Sequence, residues 1–147
     1  DTDAVWELVS DEAIGGQLAR MRSSLKAEDI AFLCDVNVKH GSHYIIHDRS
    51  VEEQAMDIEA QDGDAVIVTG FDTGMPPSVD KVESCKKRVG LPIFLGSGLT
   101  VENIPELLGC ADGAIVGSYF KKDGNWKNEV DPERARAFMA AVERLRG

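Results

Sequence analysis

Two short turns that contain glycine and serine are the strongest chemical signal in this sequence. Each turn follows a short apolar run, at residues 93–95 and 114–116. The turns consist of Gly96, Ser97 and Gly98, and of Gly117 and Ser118. Glycine lets the backbone approach an anion closely, so that amide groups at the ends of buried strands can surround a phosphate. The turns therefore predict phosphate binding, although tight strand-to-helix turns that bind nothing would also need such glycines.

Asp35 and Lys39 are the pair that we expect to act on the ligand. They lie near the end of an apolar run that begins at residue 30, and strand alternation sends both side chains to one side. A lysine there can hold an anion or form a Schiff base, and a nearby aspartate can orient it or move a proton. His40 follows as a candidate acid–base residue. The alternative is a purely structural salt bridge between Asp35 and Lys39.

The three histidines, His40, His43 and His47, have spacings that would place them on one face of a helix. Three imidazoles in that arrangement could bind zinc. However, a Gly-Ser pair and β-favouring residues lie between them, which argues against a helix. We therefore predict no metal site, and the residues identify no cofactor.

A glycine-bounded loop, residues 70–74, could close over a ligand. Thr69 immediately precedes this loop and Asp72 and Thr73 lie within it, so we assign these three residues to a substrate loop. The alternative is a rigid turn before two prolines. Lys121 and Lys122 could reach the phosphate, although adjacent lysines in a polar loop are more often solvated.

Segments of helical periodicity alternate with apolar runs of strand length, and these elements must position the candidate residues. The pattern predicts one helix followed by four repeats of strand and helix. The predicted strands cover residues 30–38, 64–69, 93–95 and 114–116, and the predicted helices cover 11–24, 51–61, 78–90, 100–108 and 131–145. Such alternation predicts a parallel α/β sheet with right-handed crossovers. Ligands bind such sheets at the carboxyl ends of the strands, and phosphate often binds after the last two strands of an eight-stranded barrel.

The composition excludes several classes of partner. A chain of 147 residues suits one structural unit, and a formal charge of −10 disfavours nucleic acid and anionic membrane surfaces. Three widely spaced cysteines, Cys34, Cys85 and Cys110, are typical of free thiols in a reducing compartment. We see neither a membrane-spanning apolar run nor a signal peptide, so we predict a cytoplasmic protein without membrane insertion.

Several ordered blocks of the sequence resemble the BtpA/SgcQ family. The blocks are residues 35–40, 65–70 with 73–74, 96–98 with 102–103, 111–118, 121–124 and 130–134. The resemblance runs from about Asp11 to Arg146 and covers the strand-end residues Asp35, Lys39, Thr69, Ser97 and Ser118. Family members are TIM-barrel-like and nearly twice this length, which implies that residues 1–147 are the C-terminal half of a (β/α)8 barrel, with about four βα units.

The resemblance leaves the activity open. The family's founding member is associated with accumulation of photosystem I, its bacterial relatives lie among sugar-metabolism genes, and no reaction is firmly assigned. We expect an isomerase, lyase or hydrolase that binds a phosphorylated metabolite, such as a sugar phosphate or a nucleotide-like compound. The alternative is a non-enzymatic assembly factor that keeps the barrel as a scaffold. Half a barrel has two unpaired edges, so we also expect a homo-oligomer or a companion N-terminal half.

Overall fold

The computed structural model describes residues 15–37, 48–70 and 75–147. Helices and strands alternate through these residues, which confirms the predicted helix followed by four strand–helix repeats. The helices are α1 (Gly15–Ser24), α2 (Val51–Ala60), α3 (Val79–Lys86), α4 (Ile104–Leu107) and α5 (Pro132–Arg146). The strands are β1 (Leu33–Val36), β2 (Ala65–Thr69), β3 (Ile93–Gly96) and β4 (Gly113–Ile115). Two short 3₁₀ helices, Ser118–Phe120 and Lys122–Gly124, lie between β4 and α5.

The four strands form one parallel sheet in the order β1-β2-β3-β4. The register places Asp35 of β1 beside Ile67 of β2. One row nearer the carboxyl ends, Thr69 lies beside Gly96, and Gly96 lies beside Ile115. Parallel neighbours need a crossover connection, which the intervening helices supply. The chain therefore has the α/β architecture that its sequence pattern predicts.

One face of the sheet packs against the helices and forms the core. The buried side chains are Val36, Val66, Val68, Ile93 and Leu95 from the strands, with Ala55, Val82, Cys85, Ile104 and Phe138 from the helices. Successive strand residues point to opposite faces, so Asp35, Ile67 and Thr69 belong to the face turned away from the helices. In the barrel that the sequence predicts, that face would be the interior, where the side chain of Asp35 is expected.

The first helix does not pack on this core through its predicted apolar face. Leu18, Met21 and Leu25 are 37%, 59% and 69% exposed, and no residue of α1 is buried. Instead, Arg22 attaches the helix to the sheet by a 2.6 Å ion pair with Asp64, just before β2. The predicted cap Asp11 and the apolar Ile14 lie outside the described residues.

The first strand is shorter than predicted. It begins at Leu33 and not at residue 30, because Asp64 holds the preceding Phe32 through a 2.7 Å bond from the Phe32 N–H to the carboxylate. The strand ends at Val36, because Asn37 adopts a left-handed φ of 52°. The predicted alternation therefore stops before it reaches Asn37.

The helix between β3 and β4 is also shorter than predicted, and Thr100 is not its N-cap. Asn103 occupies that position, and its Oδ1 accepts a 2.8 Å hydrogen bond from the Thr100 N–H. Its Nδ2 donates a 2.9 Å bond to the carbonyl of Gly98. These bonds satisfy the backbone of residues 98–100 as a loop, so the helix begins only at Ile104.

The third helix ends at Lys86, before the predicted end at Gly90. The N–H of Gly90 donates a 2.8 Å hydrogen bond to Oε1 of Glu59 on α2, which leads the chain away from the helix axis. The predicted start at Ser78 is correct, since its hydroxyl accepts a hydrogen bond from the Lys81 N–H.

The last helix begins as predicted. Asp131 caps it by accepting hydrogen bonds from the N–H groups of Glu133 and Arg134, and Pro132 fills the first helical position. Of its predicted apolar face, Phe138 and Val142 are buried, whereas Met139 and Leu145 are 46% and 44% exposed. The capped first turn of α5 faces the carboxyl end of β4, where the candidate site lies.

Candidate functional site

A cleft of about 360 Å³ lies at the carboxyl ends of β3 and β4. Its walls include Ser97, Gly98 and Thr100 after β3, Gly117 and Ser118 after β4, and Arg134 of α5. The structure therefore brings together four of the five residues predicted to bind phosphate. The fifth, Gly96, is not a wall of the cleft, because it is the buried last residue of β3. Phosphate binding by these residues stays a prediction.

The turn after β3 has an unusual backbone. Ser97 and Gly98 both adopt left-handed φ angles, of 71° and 69°. A Cβ atom on Gly98 would lie 2.2 Å from the backbone nitrogen of Pro76 and 2.3 Å from the carbonyl carbon of Met75. Packing therefore requires glycine at position 98 whether or not the turn binds an anion. This agrees with the alternative that the glycines only form tight turns.

The turn after β4 is different. A Cβ atom on Gly117 would meet no atom within 4 Å. Packing therefore does not require glycine here. Open space beside the backbone at a cleft wall is what close approach of a ligand needs.

Arg134 supplies a cation that the sequence analysis did not assign to the site. Its Nε donates a 2.6 Å hydrogen bond to the Tyr119 carbonyl, and its guanidinium carbon lies 4.5 Å from the centroid of the Tyr119 ring. Within the described ranges, no carboxylate forms an ion pair with Arg134, and its Nη atoms have no hydrogen-bond partner. A held guanidinium with two unused donor groups in a cleft is suited to bind an anion.

The sequence contained one signal for Arg134 that could have been used. Asp131 and Pro132 mark the start of a helix, which fixes Arg134 in its first turn. Because the preceding strand ends at the same edge of the sheet, a cation in that turn lies close to the predicted glycine turns. The sequence analysis considered Lys121 and Lys122 instead. Neither lysine lines the cleft, and Nζ of Lys122 forms a 2.9 Å ion pair with Glu129.

The predicted catalytic residues are only partly described. Asp35 lies on β1, on the sheet face turned away from the helices, as the strand alternation predicts. Lys39 and His40 lie outside the described residues, and so do Asp72 and Thr73 of the predicted substrate loop. The Asp35–Lys39 pairing and the closure of the loop over a ligand therefore stay predictions.

Thr69, the third residue assigned to the substrate loop, is the last residue of β2 and is 7% exposed. Its Oγ1 is buried and has no hydrogen-bond partner among the described residues. Its carbonyl oxygen accepts a 2.9 Å hydrogen bond from Nζ of Lys81, the second residue that the sequence analysis missed. Burial lowers the pKa of Lys81, because desolvation disfavours the charged ammonium group.

The remaining candidate groups form no second reactive site in the described part of the chain. All three cysteines are unpaired thiols, and burial raises the pKa of Cys85 to about 11, which makes it a weak nucleophile. No cluster of three or more metal-ligating side chains occurs among residues 15–37, 48–70 and 75–147, and the three histidines lie outside these ranges. None of the described helices is long and apolar enough to cross a membrane.

Comparison with known proteins identifies relatives over nearly the whole chain. An uncharacterised mitochondrial protein of Caenorhabditis elegans is 40% identical over 146 residues, which are 97% of this chain and 52% of that protein. An uncharacterised protein of Thermococcus kodakarensis is 40% identical over 92% of this chain and 50% of its own length. The photosystem I biogenesis protein BtpA of Synechocystis is 36% identical over 86% of this chain and 44% of its own length. This chain thus spans about half the length of the curated relatives that it matches.

A solved structure supports the fold. Thiamine phosphate pyrophosphorylase from Pyrococcus furiosus superimposes with a TM-score of 0.54 at 15% identity, over 91% of this chain and 76% of that chain. The likeness identifies the α/β architecture of the TIM-barrel type. The BtpA family model matches residues 7–144. The chain belongs to the BtpA family, as the ordered blocks of its sequence predict.

Proposed function

We propose that this chain binds the phosphate group of a small phosphorylated metabolite in the cleft at the carboxyl ends of β3 and β4. The observation that carries the proposal is the position of Arg134 in the same cleft as residues of the two glycine–serine turns. A chain with a formal charge of −10 repels anions at long range, so anion binding needs a cation fixed at the site. Arg134 meets that requirement, because Tyr119 holds its guanidinium in place.

The chemistry of the cleft walls supports the same ligand. The Nη groups of Arg134 can donate two parallel hydrogen bonds to one phosphate, which is the preferred geometry for arginine. Ser118 adds a hydroxyl group, and Gly117 leaves room for a phosphate oxygen to approach the backbone. Gly98 and Ser97 close the other side of the cleft.

Calorimetric titration of the full-length protein with inorganic phosphate tests the proposal. Arg134→Gln should weaken binding by more than about tenfold, because a charge-assisted hydrogen-bond pair is lost. Arg136→Gln is the matched control: Arg136 lies on the same helix, is exposed and pairs with Glu133, so its loss should leave affinity unchanged. Folding of each variant is checked by circular dichroism. Absence of saturable binding by the folded wild-type protein would overturn the proposal.

The proposed activity is that of an isomerase, a lyase or a hydrolase that acts on the bound metabolite. Asp35, Lys39 and His40 are the proposed catalytic residues, and Thr69, Asp72 and Thr73 the proposed substrate-contacting ones. The name of the Synechocystis relative describes photosystem I biogenesis, which supports a non-enzymatic assembly factor as the second candidate. Asp35→Ala and Lys39→Ala separate the two candidates, because an enzyme loses its biological activity in these variants and an assembly factor keeps it.

We also propose that residues 1–147 form one structural unit that acts as half of a barrel, in a reducing, cytoplasmic compartment. At the two edges of the described sheet, Leu33 and Ile115 are 42% and 47% exposed. Apolar residues on unpaired edge strands favour pairing with further strands. A companion N-terminal half or a second copy of the chain would cover these edges. A monomeric mass in analytical ultracentrifugation, with cooperative unfolding of residues 1–147 alone, would contradict this proposal.

A further inference from the structure

We propose that Thr69 is a second subsite, which binds a hydroxyl group of the metabolite, so that the ligand is a polyhydroxylated phosphate ester such as a sugar phosphate. The inference rests on the proposed function, because it takes the phosphate position from the cleft. It adds the requirement that the ligand carries a hydroxyl group at the end away from its phosphate.

The buried hydroxyl of Thr69 has no role that the fold explains. Its Oγ1 lacks a hydrogen-bond partner within residues 15–37, 48–70 and 75–147, and the residue is 7% exposed. A buried polar group without a partner destabilises a protein, and almost all such groups in native structures are satisfied. Valine has nearly the same shape and would suit a strand without this cost. An unsatisfied hydroxyl at a strand end is therefore best explained by a partner that arrives with the ligand.

The register of the sheet connects Thr69 to the cleft. Thr69 lies beside Gly96, and Gly96 lies beside Ile115, which is a wall of the cleft. Gly96 has no side chain, the Thr69 atom that lies beside it is the methyl carbon Cγ2, and Thr69 itself is not a wall of the cleft. A Cβ atom on Gly96 would lie 2.7 Å from Cγ2 of Thr69 and 2.9 Å from Cγ2 of Ile67, so this row has no room for a larger residue.

The spacing of the strands sets the size of the ligand. Neighbouring strands lie about 4.8 Å apart, so a phosphate bound between the ends of β3 and β4 lies roughly 7 Å from the axis of β2. A short carbon chain spans that distance. A threonine hydroxyl can both donate and accept a hydrogen bond, which matches a hydroxyl group on such a chain.

The main chain at Thr69 is also held in place. Nζ of Lys81 donates a 2.9 Å hydrogen bond to the Thr69 carbonyl oxygen, which fixes the end of β2 from the helix side. The side chain of Thr69 belongs to the opposite face of the sheet, where Asp35 lies one row below. A ligand whose hydroxyl group binds Thr69 would therefore lie on the sheet face that carries Asp35, a proposed catalytic residue.

Two ligands with the same carbon number test the inference in the full-length protein. Ribose 5-phosphate carries hydroxyl groups, whereas pentyl phosphate carries none, and inorganic phosphate reports on the cleft alone. We expect the wild-type protein to bind ribose 5-phosphate more tightly than pentyl phosphate. Thr69→Val should reduce ribose 5-phosphate affinity about five- to tenfold and leave inorganic phosphate affinity unchanged. Thr69→Ser, which keeps the hydroxyl, should retain the preference.

Thermal melting of the ligand-free variants provides the independent readout. Thr69→Val should melt at the same temperature as the wild-type protein or higher, because it removes an unsatisfied buried group. A lower melting temperature would mean that the hydroxyl already has a partner, and would overturn the inference. So would a Thr69→Val protein that keeps the preference for ribose 5-phosphate. Failure of the wild-type protein to bind inorganic phosphate would instead refute the proposed function itself.

Discussion

Arg134 contacts Tyr119 in two ways at once. Its Nε donates a 2.6 Å hydrogen bond to the Tyr119 carbonyl oxygen, and its guanidinium carbon lies 4.5 Å from the centroid of the Tyr119 ring. These contacts join the first turn of α5 to the segment that follows β4. They also restrict the guanidinium to one wall of the cleft. Tyr119 is therefore a positioning residue, because it orients Arg134, which we propose to bind the phosphate group.

Removal of the Tyr119 ring tests this relationship. Tyr119→Leu keeps the carbonyl bond but removes the cation–π contact, worth about 0.5–2 kcal/mol, so phosphate affinity should fall about three- to tenfold. Tyr119→Phe keeps the ring and should bind phosphate as the wild-type protein does. Calorimetric titration measures both affinities.

The control for this prediction is Phe138→Leu. Phe138 packs against the Tyr119 ring, with centroids 5.5 Å apart, but is not a wall of the cleft. Its replacement should lower the free energy of unfolding by about 1–3 kcal/mol and leave phosphate affinity unchanged. If Phe138→Leu weakens phosphate binding as much as Tyr119→Leu does, general loss of packing explains both results.

The two glycine turns should differ in their response to alanine. Gly98→Ala should lower the free energy of unfolding by at least about 2 kcal/mol, because its Cβ would overlap the backbone of Met75 and Pro76 at a left-handed φ. Gly117→Ala should change it by less than about 0.5 kcal/mol, because its Cβ meets open space. Urea denaturation measures both changes.

Phosphate titration of a Gly117 variant tests whether the turn after β4 contributes to binding. Gly117→Asp places a carboxylate at the cleft wall and should abolish phosphate binding by repulsion in a protein that remains folded. Unchanged phosphate affinity in Gly117→Asp would exclude the turn after β4 from the binding site.

The fold could be predicted from the sequence because its elements repeat in a regular pattern. Strands such as residues 65–69 are short apolar runs, and helices such as residues 51–60 show the helical period, so their existence and order follow from local sequence. The start of α5 was also predictable, since Asp131 and Pro132 are a local signal.

The ends of three elements depend on side-chain hydrogen bonds, two of which join residues far apart in sequence. Asp64 shortens β1 through Phe32, and Glu59 draws Gly90 away from α3. Asn103 shortens α4 by bonding to Gly98, a local interaction that competes with the helix. Side-chain hydrogen bonds of this kind leave no periodic pattern in the sequence.

The sequence predicts the two glycine–serine turns of the candidate site but not Arg134. The glycine turns are local motifs, and the structure places both at one cleft. Arg134 joins the site from the next helix, and the unsatisfied Thr69 hydroxyl is defined by burial, which only the packed structure reveals. The helix start at Asp131 and Pro132 could have indicated Arg134, whereas the burial of the Thr69 hydroxyl arises from tertiary packing, which motif spacing does not reveal.

Asp112 provides a pH-dependent contribution to stability at the end of the sheet opposite the cleft. Its carboxylate accepts a 2.9 Å hydrogen bond from the Ile93 N–H at the start of β3 and a 3.0 Å bond from Nζ of Lys86. The Ile93 bond, followed by that of Lys86, holds the pKa of Asp112 below its ordinary value of 3.8. Such a group stabilises the fold fully at neutral pH, and the contribution is lost as the pH falls through the lowered pKa.

Asp112→Asn should therefore lower the free energy of unfolding at pH 7 by about 1 kcal/mol, a modest value because the carboxylate is partly exposed. The difference from the wild-type protein should shrink as the pH falls from 3.8 through the lowered pKa of Asp112, because the aspartate then becomes neutral, as asparagine is. Glu143→Gln, at an exposed position of α5, is the control for the loss of one surface carboxylate. Urea denaturation between pH 2.5 and 7 measures these differences, and a destabilisation that stays constant with pH would show that the charge of Asp112 is not its cause.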